Sequence, residues 1–384
     1  MKTVTSIVLN NFKNDSRVLK ENISLQNAGY EVIVVALHEE LLKEFDNIQN
    51  IPVHRIKLKS RSWSKNKIVQ LIKYGEFVYR VIKKYKNSDI LHCNDLNSLP
   101  IGVIIKLFFN RNSKLVYDAH EYETELNGLA GIQKTLVKWL ERRLIKHADK
   151  VITVSNAIAN EYVRLYDIDK PSLVLNTPPF KEIKKQNIFR PLFDINDSQT
   201  IFLYQGGLSK GRGIEILLES FKSLWNSTVN KEEKNYPVII FMGYGPLEKL
   251  VIEESNKYEN IYFHNAVTPD VLLNYTSSAD FGILFYENNC LNHYYCSPNK
   301  MFEYLMAEIP VIASNLFEMK RLVELNKIGA VATENNSAGL QDAIEDAVKM
   351  NPKELQNNIA SIKSIYNWEE QEKILLKLYK ELYV

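Results

Sequence analysis

The sequence is poor in cysteine and has no long apolar run. Its three cysteines, at positions 93, 290 and 296, are too few and too irregularly spaced for a disulfide framework or a zinc cluster. They fit a reducing compartment, where thiols stay free. The most apolar segment, 99–109, contains Lys106 and has about half the length needed to cross a bilayer. The N-terminal apolar stretch is too short for a signal peptide, so we expect a cytoplasmic protein without a membrane span.

The sequence also has little net charge. It contains 48 Lys and Arg against 46 Asp and Glu, a formal net charge of +2, which argues against a nucleic-acid partner. The two halves differ, however, because residues 1–200 carry 31 basic and 22 acidic side chains, a sum of +9, and residues 201–384 sum to −7. The length suits two domains of roughly 150–200 residues each. We expect these domains to face different partners.

Strand-like and helix-like patterns alternate along almost the whole chain. Short β-branched segments begin near residues 3, 31, 88, 114, 150 and 172, and a second series begins near 200, 237, 260, 281 and 310. Strands that alternate with helices form parallel sheets. The pattern therefore predicts an α/β protein with two doubly wound, Rossmann-like domains facing a central cleft. Ligands bind such sheets beyond the carboxyl ends of the strands.

A segment rich in Pro, Lys and Asn, without periodicity, separates the two series. It predicts a linker at 179–199 between an N-terminal domain, 1–178, and a C-terminal domain, 200–366.

Residues 204–213, YQGGLSKGRG, join the first strand of the second series to its helix. The adjacent Gly206 and Gly207 let a backbone approach a ligand closely. Lys210, Arg212 and the free amides at the start of the helix provide positive potential for a phosphate. A plain tight turn with solvated basic side chains is the alternative.

A second motif, SPNKMFEYL, begins at Ser297. Ser297 and Pro298 start a helix whose first turn, with Asn299 and Lys300, exposes backbone amides. Glu303 lies one turn further on the same face as Lys300, where a carboxylate can accept hydrogen bonds from both hydroxyls of a ribose. The alternative is a capped surface helix with a salt bridge between these two residues, worth a few tenths of a kcal/mol.

These two motifs, in this order, resemble those of the retaining glycosyltransferases of family 4, which have the GT-B fold. The resemblance covers essentially the whole chain and includes further segments at 14–32, 117–123, 151–162, 174–179 and 241–246. It implies that the C-terminal domain binds a nucleotide-sugar donor and the N-terminal domain binds the acceptor. It also implies a C-terminal helix that crosses back to the first domain, a role that suits 367–384.

The resemblance implies roles for particular residues. It makes His120, in YDAHEYE, the histidine that contacts the donor sugar near the anomeric carbon, with Lys210 and Arg212 as further catalytic groups. The residues expected to bind the donor are Gly206, Gly207, Gly243, Tyr295, Ser297, Pro298, Asn299, Lys300 and Glu303. At other strand ends, His92 and Asp95 either line the acceptor side or cap the next helix. Asn11 and Asp15 lie in the first loop, where the family approaches the donor phosphates or the acceptor.

Two departures from the family pattern affect the donor site. The family has Gly-Arg where this chain has Gly206-Gly207, and Lys where it has Arg212, so Lys210 is the candidate for the missing cation. The family also has two glutamates with seven residues between them. Glu303 matches the second, but Tyr295 occupies the position of the first, which contacts donor-sugar hydroxyls. Recognition of the donor sugar is therefore expected to differ, with Tyr294, Cys296 and Ser297 as candidate replacements.

The expected reaction needs no metal or other cofactor. The seven histidines show no pair at metal-ligand spacing, and cationic side chains and helix dipoles can neutralise a leaving diphosphate. We therefore predict a retaining, metal-independent glycosyltransferase of the hexosyltransferase type. It would use a UDP-sugar, favoured over a GDP-sugar, and a glycan or lipid-linked acceptor in surface polysaccharide synthesis. The alternatives are a non-catalytic, nucleotide-sugar-binding partner subunit and a nucleotide-sugar epimerase with the GT-B fold.

Two basic segments lie in the N-terminal half. Residues 57–86 contain ten Lys or Arg and one Glu, and 132–150 adds a second basic helix with Trp139. The apolar residues interleaved in the first segment are Trp63, Ile68, Leu71, Ile72, Phe77, Val78 and Val81. This pattern suits peripheral association with the anionic inner face of the cell membrane. The alternative is two helices packed on the sheet with solvated basic faces.

Overall fold

The computed structural model describes residues 1–228 and 236–383. It divides into two compact units, the first comprising Met1–Val174 and Gln371–Val384 and the second Leu175–Glu370. The boundary lies four residues before the predicted one, and the predicted linker, 179–199, is part of the second unit. This segment belongs to the second unit because it forms a short helix whose Phe189 is fully buried in the core of that unit.

The first unit contains an eight-stranded sheet. Its strands are β1 (Thr3–Ile7), β2 (Glu31–Leu37), β3 (Phe45–Ile48), β4 (Ile51–Ile56), β5 (Ile90–Asn94), β6 (Lys114–Ala119), β7 (Lys150–Thr153) and β8 (Ser172–Leu173). Its helices include α1 (Ser16–Asn27), α2 (Lys67–Tyr85), α3 (Leu99–Ile104), α4 (Gly131–Leu144) and α5 (Asn156–Tyr166), with a π-turn at Ile105–Phe109 and a 3₁₀ turn at Ile145–His147. The strand order is β3-β4-β2-β1-β5-β6-β7-β8. All neighbours are parallel except β3 and β4, which are antiparallel.

The direction of winding reverses between β1 and β5, which is the topological switch point of this sheet. All five residues of β5 are buried, as expected for a parallel strand covered on both faces. Helix α1 begins where Asp15 Oδ1 accepts a hydrogen bond from the amide of Val18. It packs Val18 and Leu25 inward, and Gly29 ends the turn with a φ of 91°.

The second unit contains a six-stranded, all-parallel sheet in the order β11-β10-β9-β12-β13-β14. Its strands are β9 (Ile201–Gly207), β10 (Val238–Tyr244), β11 (Ile261–Asn265), β12 (Phe281–Leu284), β13 (Val311–Ala313) and β14 (Gly329–Val331). Its helices include α6 (Phe189–Phe193), α7 (Ile214–Thr228), α8 (Glu248–Ser255), α9 (Pro269–Thr276), α10 (Leu291–Tyr295), α11 (Asn299–Met306), α12 (Phe317–Asn326), α13 (Ser337–Lys349) and α14 (Pro352–Lys363). The switch point lies between β9 and β12.

Alternate side chains of this second sheet enter two separate cores, as the two-residue period of a strand requires. In β9, Ile201 and Leu203 pack against α11, α12 and α14, whereas Phe202 and Tyr204 pack against α7, α8 and α13. Helix α7 packs one apolar stripe inward, with Ile214, Leu217, Leu218 and Phe221 buried and Leu224 partly buried. Both faces of the sheet are therefore covered, and the free carboxyl edge is left for a ligand.

A last helix, α15 (Trp368–Glu381), begins in the second unit and continues into the first. This is the helix predicted at 367–384, of which Val384 lies outside the described residues. Its Leu375, Leu378 and Tyr379 are buried in the first unit. Across the described part of the chain, no helix combines the length and the apolar character that a membrane crossing needs.

Candidate active site

His120 follows the carboxyl end of β6 and pairs with two carboxylates. Its Nε2 lies 3.2 Å from Asp118 Oδ2, and its Nδ1 lies 3.4 Å from Asp95 Oδ1. Asp95 comes directly after β5, so neighbouring strands bring both carboxylates to one imidazole. Burial lowers the pKa of His120, but the two carboxylates outweigh this effect and raise the pKa to about 9. The imidazole is therefore a cation at neutral pH.

Asp118 is held in turn by a buried guanidinium. Arg17, on α1, donates from Nη2 to Asp118 Oδ1 at 2.8 Å and from Nε to Asp118 Oδ2 at 3.3 Å. Its Nη1 donates to the carbonyl oxygen of Val174 at 2.7 Å. Burial raises the pKa of Asp118, but Arg17 and His120 hold it well below its usual range. Asp118 is therefore an anion between two cations.

Glu21, one turn after Arg17 on α1, adds a second buried carboxyl group. Its Oε1 lies 3.1 Å from Arg17 Nη2. Burial raises the pKa of Glu21 to about 8, against the opposing effect of Arg17. Beyond this ion pair with Arg17, the carboxyl oxygens of Glu21 make no hydrogen bond within the described part of the chain.

Ligand atoms of Glu21, Asp118 and His120 lie within 4.8 Å of one another, close enough to share a metal ion. No spacing in the sequence indicated this group, because its members come from α1 and β6. The Arg17 guanidinium contacts both carboxyl groups, and a divalent cation would have to share them with this fixed positive charge. The residues present fit an ion-pair network better than a metal site.

The other predicted residues of the first unit are His92, Asp95, Asn11 and Asp15. His92, in β5, is buried, and its Nδ1 lies 2.6 Å from the hydroxyl oxygen of Tyr379. Asp95 lies beside His120, and His92 lies in the core. Neither lining of the acceptor side nor capping of the next helix, the two roles predicted for these residues, includes these contacts. Asp15 caps α1, as described above. Asn11 donates a hydrogen bond to Glu39.

In the second unit, the glycine motif follows β9 at the switch point of the sheet. Gly206 is exposed and has a φ of 114°, a conformation that favours glycine. The loop is tied to the chain after β12, because Gly211 donates from its amide to Glu287 Oε1 at 3.2 Å. Arg212 lies with its Cζ 5.6 Å from the centre of the Tyr286 ring. Lys210 is exposed.

Lys300, in the first turn of α11, is a buried ammonium. Its Nζ lies 3.9 Å from the centre of the Tyr204 ring and 5.4 Å from that of Tyr286. In the described part of the chain, this nitrogen makes no hydrogen bond. Burial, together with the charge of Arg212, lowers the pKa of Lys300 to about 7, against the opposing effect of Glu303. A buried cation without a hydrogen-bond partner favours the binding of an anion beside it.

The two predicted donor motifs meet in space. A Cβ atom on Gly206 would lie 3.7 Å from Lys300 Nζ, and one on Gly207 would lie 3.9 Å from Arg212 Nη1. Gly243, in the neighbouring strand, pairs in register with Gly206. A Cβ on Gly243 would come within 1.9 Å of the Gly206 carbonyl oxygen, so only glycine lets β10 pack against this loop.

Glu303 is tied to the end of β9. Its Oε2 accepts a hydrogen bond of 2.5 Å from Gln205 Nε2. Ser297 and Pro298 are buried before the first turn of α11, and Asn299 is exposed at its start. The α11 amides therefore face the same edge of the sheet as the glycine loop.

Tyr295, at the position of the missing family glutamate, belongs to an aromatic cluster. Its ring lies 5.0 Å from that of Tyr294 and 5.7 Å from that of Phe317, both measured between ring centres. The next residue, Cys296, is close enough to Lys300 to influence its pKa. The segment before the ammonium thus presents aromatic surface where the family has a carboxylate.

Six residues that shape these two clusters were not among the predicted site residues: Arg17, Glu21, Tyr204, Gln205, Tyr286 and Tyr379. Two of them carried a signal. Arg17 and Glu21 are one helical turn apart, on the face of α1 that also carries Leu25. A charged pair on a buried helix face points to a partner inside the protein. The other four gave no signal, because only tertiary packing brings them to the cations.

The basic segments form α2 and α4 of the first unit. Phe77 and Val81, predicted to supply apolar surface on α2, are instead buried, because they form the face that packs inward. Three other predicted apolar residues of α2 are exposed: Ile68 at 74%, Leu71 at 70% and Ile72 at 48%. On α4, the exposed apolar residues are Ile132, Leu136 and Trp139, which share one helix face.

The chain matches two family models that together cover most of its length. Residues 23–176 match Glycosyltransferase Family 4, and residues 185–363 match Glycosyl transferases group 1. A search among curated proteins found no match.

Several solved structures share the fold over the whole chain. Sucrose-phosphate synthase from Thermosynechococcus elongatus is 17% identical with a TM-score of 0.78, covering 100% of this chain and 99% of that one. HepE of Anabaena, in complex with UDP-glucose, is 14% identical with a TM-score of 0.74, covering 99% of this chain and 100% of that one. A glycosyltransferase from Rickettsia africae is 17% identical with a TM-score of 0.70, covering 100% and 98%. The family matches and the shared fold show that this chain belongs to glycosyltransferase family 4 and has the GT-B fold.

Proposed function

We propose that this glycosyltransferase moves a sugar from a UDP-sugar to a glycan or lipid-linked acceptor in surface polysaccharide synthesis, with retention of the anomeric configuration. The observation that carries the proposal is Lys300, whose buried ammonium makes no hydrogen bond within the described residues. A buried charge is costly unless an opposite charge meets it. A diphosphate is an anion that a glycine loop and a helix N-terminus accommodate. The complex of HepE with UDP-glucose supports UDP as the nucleotide.

The donor is held by the second unit in this proposal. Lys300 and Arg212, with the amides of Gly206 and Gly207, stabilise the diphosphate as it leaves. Lys210, exposed on the same loop, adds a further cation. Glu303 accepts hydrogen bonds from the ribose hydroxyls.

The reaction needs no side-chain nucleophile. The bond between the sugar C1 and the diphosphate oxygen breaks, and its electron pair stays on the diphosphate. The acceptor hydroxyl oxygen bonds to C1 on the face that the diphosphate leaves, and its proton passes to a diphosphate oxygen. His120, protonated through Asp95 and Asp118, contacts the donor sugar near the anomeric carbon. The cations already present perform the charge neutralisation that a metal would supply, so the proposal is metal-independent.

The first experiment measures ligand binding. A thermal-shift screen of UDP, GDP and their sugars should show stabilisation by UDP compounds, of about 2.7 kcal/mol at 100 times the Kd. Glu303→Ala should abolish most of this shift, whereas Glu324→Ala, on the exposed side of α12, should not. If Glu303→Ala bound UDP as tightly as the wild type, the ribose assignment would be wrong.

Product analysis tests the chemistry. Incubation of the stabilising UDP-sugar with candidate acceptors, with and without EDTA, should give the same product, and its anomeric proton coupling should match that of the donor. Loss of transfer in EDTA would overturn metal independence, and an inverted coupling would overturn retention. Conversion of the donor without an acceptor would identify an epimerase instead. Nucleotide binding with neither transfer nor donor hydrolysis would identify a non-catalytic subunit.

We also propose that α2 and α4 associate with an anionic membrane surface. Their exposed apolar residues lie among basic side chains, and α3 packs against both helices, which places them on the same side of the sheet. Each Lys or Arg near such a surface contributes about 1 kcal/mol. Partial insertion of Trp63 and Trp139, both more than half exposed, would add to this.

Vesicle flotation tests this surface. Wild-type protein should bind vesicles containing anionic lipid and not neutral vesicles. Charge reversal of four exposed lysines, Lys65, Lys67, Lys83 and Lys84, should abolish binding. A matched set in the second unit, Lys249, Lys327, Lys349 and Lys353, should leave it intact. Equal binding by both variants would mean that α2 has only a solvated basic face.

A further inference from the structure

The C-terminal helix contributes a residue to the surroundings of His120. Tyr379, on α15, is fully buried, and its hydroxyl oxygen lies 2.6 Å from His92 Nδ1. On the other side of the same imidazole, His92 Nε2 lies 3.6 Å from Glu21 Oε2 and 3.6 Å from Asp118 Oδ2. His92 therefore stands between the tyrosine and the carboxylate that pairs with His120.

These distances favour one tautomer of His92. A lone pair on Nε2 would face two carboxyl groups and be repelled by the anionic Asp118, whereas a proton on Nε2 is attracted to it. Nδ1 then carries the lone pair and accepts the hydrogen bond of the Tyr379 hydroxyl. The partner of one ring nitrogen commonly sets the state of the other in this way. The hydroxyl of Tyr379 thus directs the Nε2 proton of His92 toward Asp118.

Asp118 is consequently oriented from two directions. Arg17 binds both of its oxygens, with Nη2 at 2.8 Å from Oδ1 and 3.0 Å from Oδ2. The same Oδ2 faces His92 Nε2 at 3.6 Å and His120 Nε2 at 3.2 Å. A carboxylate fixed by a two-point guanidinium contact cannot rotate freely, so the imidazole paired with it is also fixed.

We propose that Arg17 and Tyr379 are positioning residues for His120, acting through Asp118. The proposal rests on the proposed function in one respect, that the His120 imidazole contacts the substrate. The groups that face this network are Arg17 and Glu21 from α1, His92 from β5, Asp95 after β5, Asp118 from β6, Glu123 after β6 and Tyr379 from α15. Tyr30 packs edge-on against the Tyr379 ring at 5.4 Å between ring centres.

Tyr379→Phe is the decisive variant, because it removes one hydroxyl and keeps the buried ring. Its matched control is Tyr383→Phe, just beyond the end of α15, where the hydroxyl lies 3.5 Å from the carbonyl oxygen of Asp89 and away from His92. The first readout is NMR of protein labelled with ¹⁵N-histidine. In the wild type, His92 should be the Nε2–H tautomer and His120 should titrate well above the usual histidine pKa. In Tyr379→Phe, His92 should become a mixture of tautomers and the His120 pKa should fall by about half a unit or more.

The second readout is kinetic. Tyr379→Phe should lower kcat about tenfold, since a displaced catalytic group slows the chemical step. The Kd for UDP should stay unchanged, because the proposed nucleotide-binding residues lie in the second unit. Tyr383→Phe should match the wild type in every measurement.

Arg17→Lys is the second variant, because it keeps the charge and removes the two-point contact. It should lower kcat as Tyr379→Phe does, again without changing the Kd for UDP. Unchanged His120 titration in both folded variants would overturn the proposal, as would an Nδ1–H tautomer of His92 in the wild type. The NMR readouts require no turnover, so they decide the proposal even if the protein transfers no sugar. An altered His120 titration without any transfer would mean that positioning is right and the proposed function wrong.

Discussion

Gln205 holds Glu303 in place by a hydrogen bond of 2.5 Å from its Nε2 to Glu303 Oε2. The other end of the Gln205 amide is also fixed, because its Oε1 accepts a hydrogen bond of 2.8 Å from Thr276 Oγ1. A carboxylate of α11 is thereby set against the end of β9, where the glycine loop begins. The neutral side chain of Gln205 therefore orients Glu303, the candidate ligand of the ribose.

Gln205→Met should weaken UDP binding by about 10- to 150-fold. The substitution keeps the volume but removes the donor to Glu303, and a hydrogen bond to a charged group contributes about 1.5–3 kcal/mol. Thr276→Val, which removes only the support of Gln205, should have a smaller effect in the same direction. Calorimetric titration with UDP measures both. Wild-type affinity in Gln205→Met would show that Glu303 needs no such support.

Lys300→Met should weaken UDP binding about 10- to 100-fold and stabilise the free protein. The ammonium is buried with no hydrogen bond in the described structure, and replacing such a group by an apolar side chain removes its desolvation cost. Lys210→Met, which removes an exposed cation of the glycine loop, should leave the stability of the free protein unchanged. Melting curves with and without UDP compare the two. A lower melting temperature for unliganded Lys300→Met would contradict the prediction.

The gain in stability from Lys300→Met should depend on pH. Burial lowers the pKa of Lys300 from 10.5 to about 7 in the folded protein, so between these values the unfolded chain binds more protons at this residue. The wild-type free energy of unfolding therefore rises with pH across that window and carries the full penalty below pH 7. Denaturation at pH 6 and pH 10 should show the larger difference between variant and wild type at pH 6. An equal difference at both values would show that Lys300 is charged throughout.

Arg17 and Asp118 should be strongly coupled. Asp118→Asn leaves a buried guanidinium without its main anion, and breaking a buried pair costs about 3–5 kcal/mol. The double variant Arg17→Met/Asp118→Asn should be destabilised by much less than the sum of the single variants. Urea unfolding of the four proteins gives the coupling energy. Additive effects would mean that the pair contributes nothing beyond its separate contacts.

Glu141→Gln should destabilise the first unit by about 1–3 kcal/mol. The buried Glu141 carboxylate accepts hydrogen bonds from three tyrosine hydroxyls, those of Tyr117 at 2.6 Å, Tyr162 at 2.9 Å and Tyr166 at 2.5 Å. An amide presents one acceptor oxygen, so at least one hydroxyl loses its partner. Glu161→Gln, at the more exposed end of this group, is the control and should change stability little. Urea unfolding measures both, and a stable Glu141→Gln would show that the hydroxyls find other acceptors.

Gly243→Ala should weaken UDP binding, whereas Gly75→Ala should make the protein more stable. Gly243→Ala places a Cβ 1.9 Å from the Gly206 carbonyl oxygen, so the glycine loop must shift and UDP binding should fall at least tenfold. Gly75, inside α2, has open space where the methyl group of an alanine would lie, and Gly75→Ala should stabilise the protein by about 0.5–1 kcal/mol. Melting temperature and UDP affinity together check both. UDP affinity that survives Gly243→Ala would show that the loop tolerates displacement.

The family and the GT-B fold were predicted correctly from the resemblance of the motifs at 204–213 and 297–305. The α/β class followed from the pattern, because most of the buried parallel strands are short β-branched runs followed by a helical pattern. Strands β3, β4 and β14 were missed for identifiable reasons. β14 has only three residues, and β4 contains Arg55, which is buried and donates to Asp46 Oδ2 at 2.8 Å and to the carbonyl oxygen of Asn11 at 2.8 Å. A buried arginine with such partners carries no apolar periodicity. The linker was wrongly predicted because polar composition hid the buried Phe189.

The candidate site could be predicted only where its residues are close in sequence. Gly206, Gly207, Lys300 and Glu303 lie in short motifs, and the structure brings these motifs together; their roles remain predictions. Arg17 and Asp118 are 101 residues apart, and His92 and Tyr379 are 287 apart. No local spacing links such pairs, and their burial depends on sheet order, which the sequence pattern leaves open.

The path of α15 has a consequence for how the protein is made. The first unit is discontinuous, since its core takes Leu375, Leu378 and Tyr379 from the end of the chain. During synthesis, residues 1–174 lack these three buried side chains until the whole second unit has been translated. Domains of this size otherwise tend to fold in order from the N-terminus. Here the second unit can finish first, and the N-terminal unit is completed last.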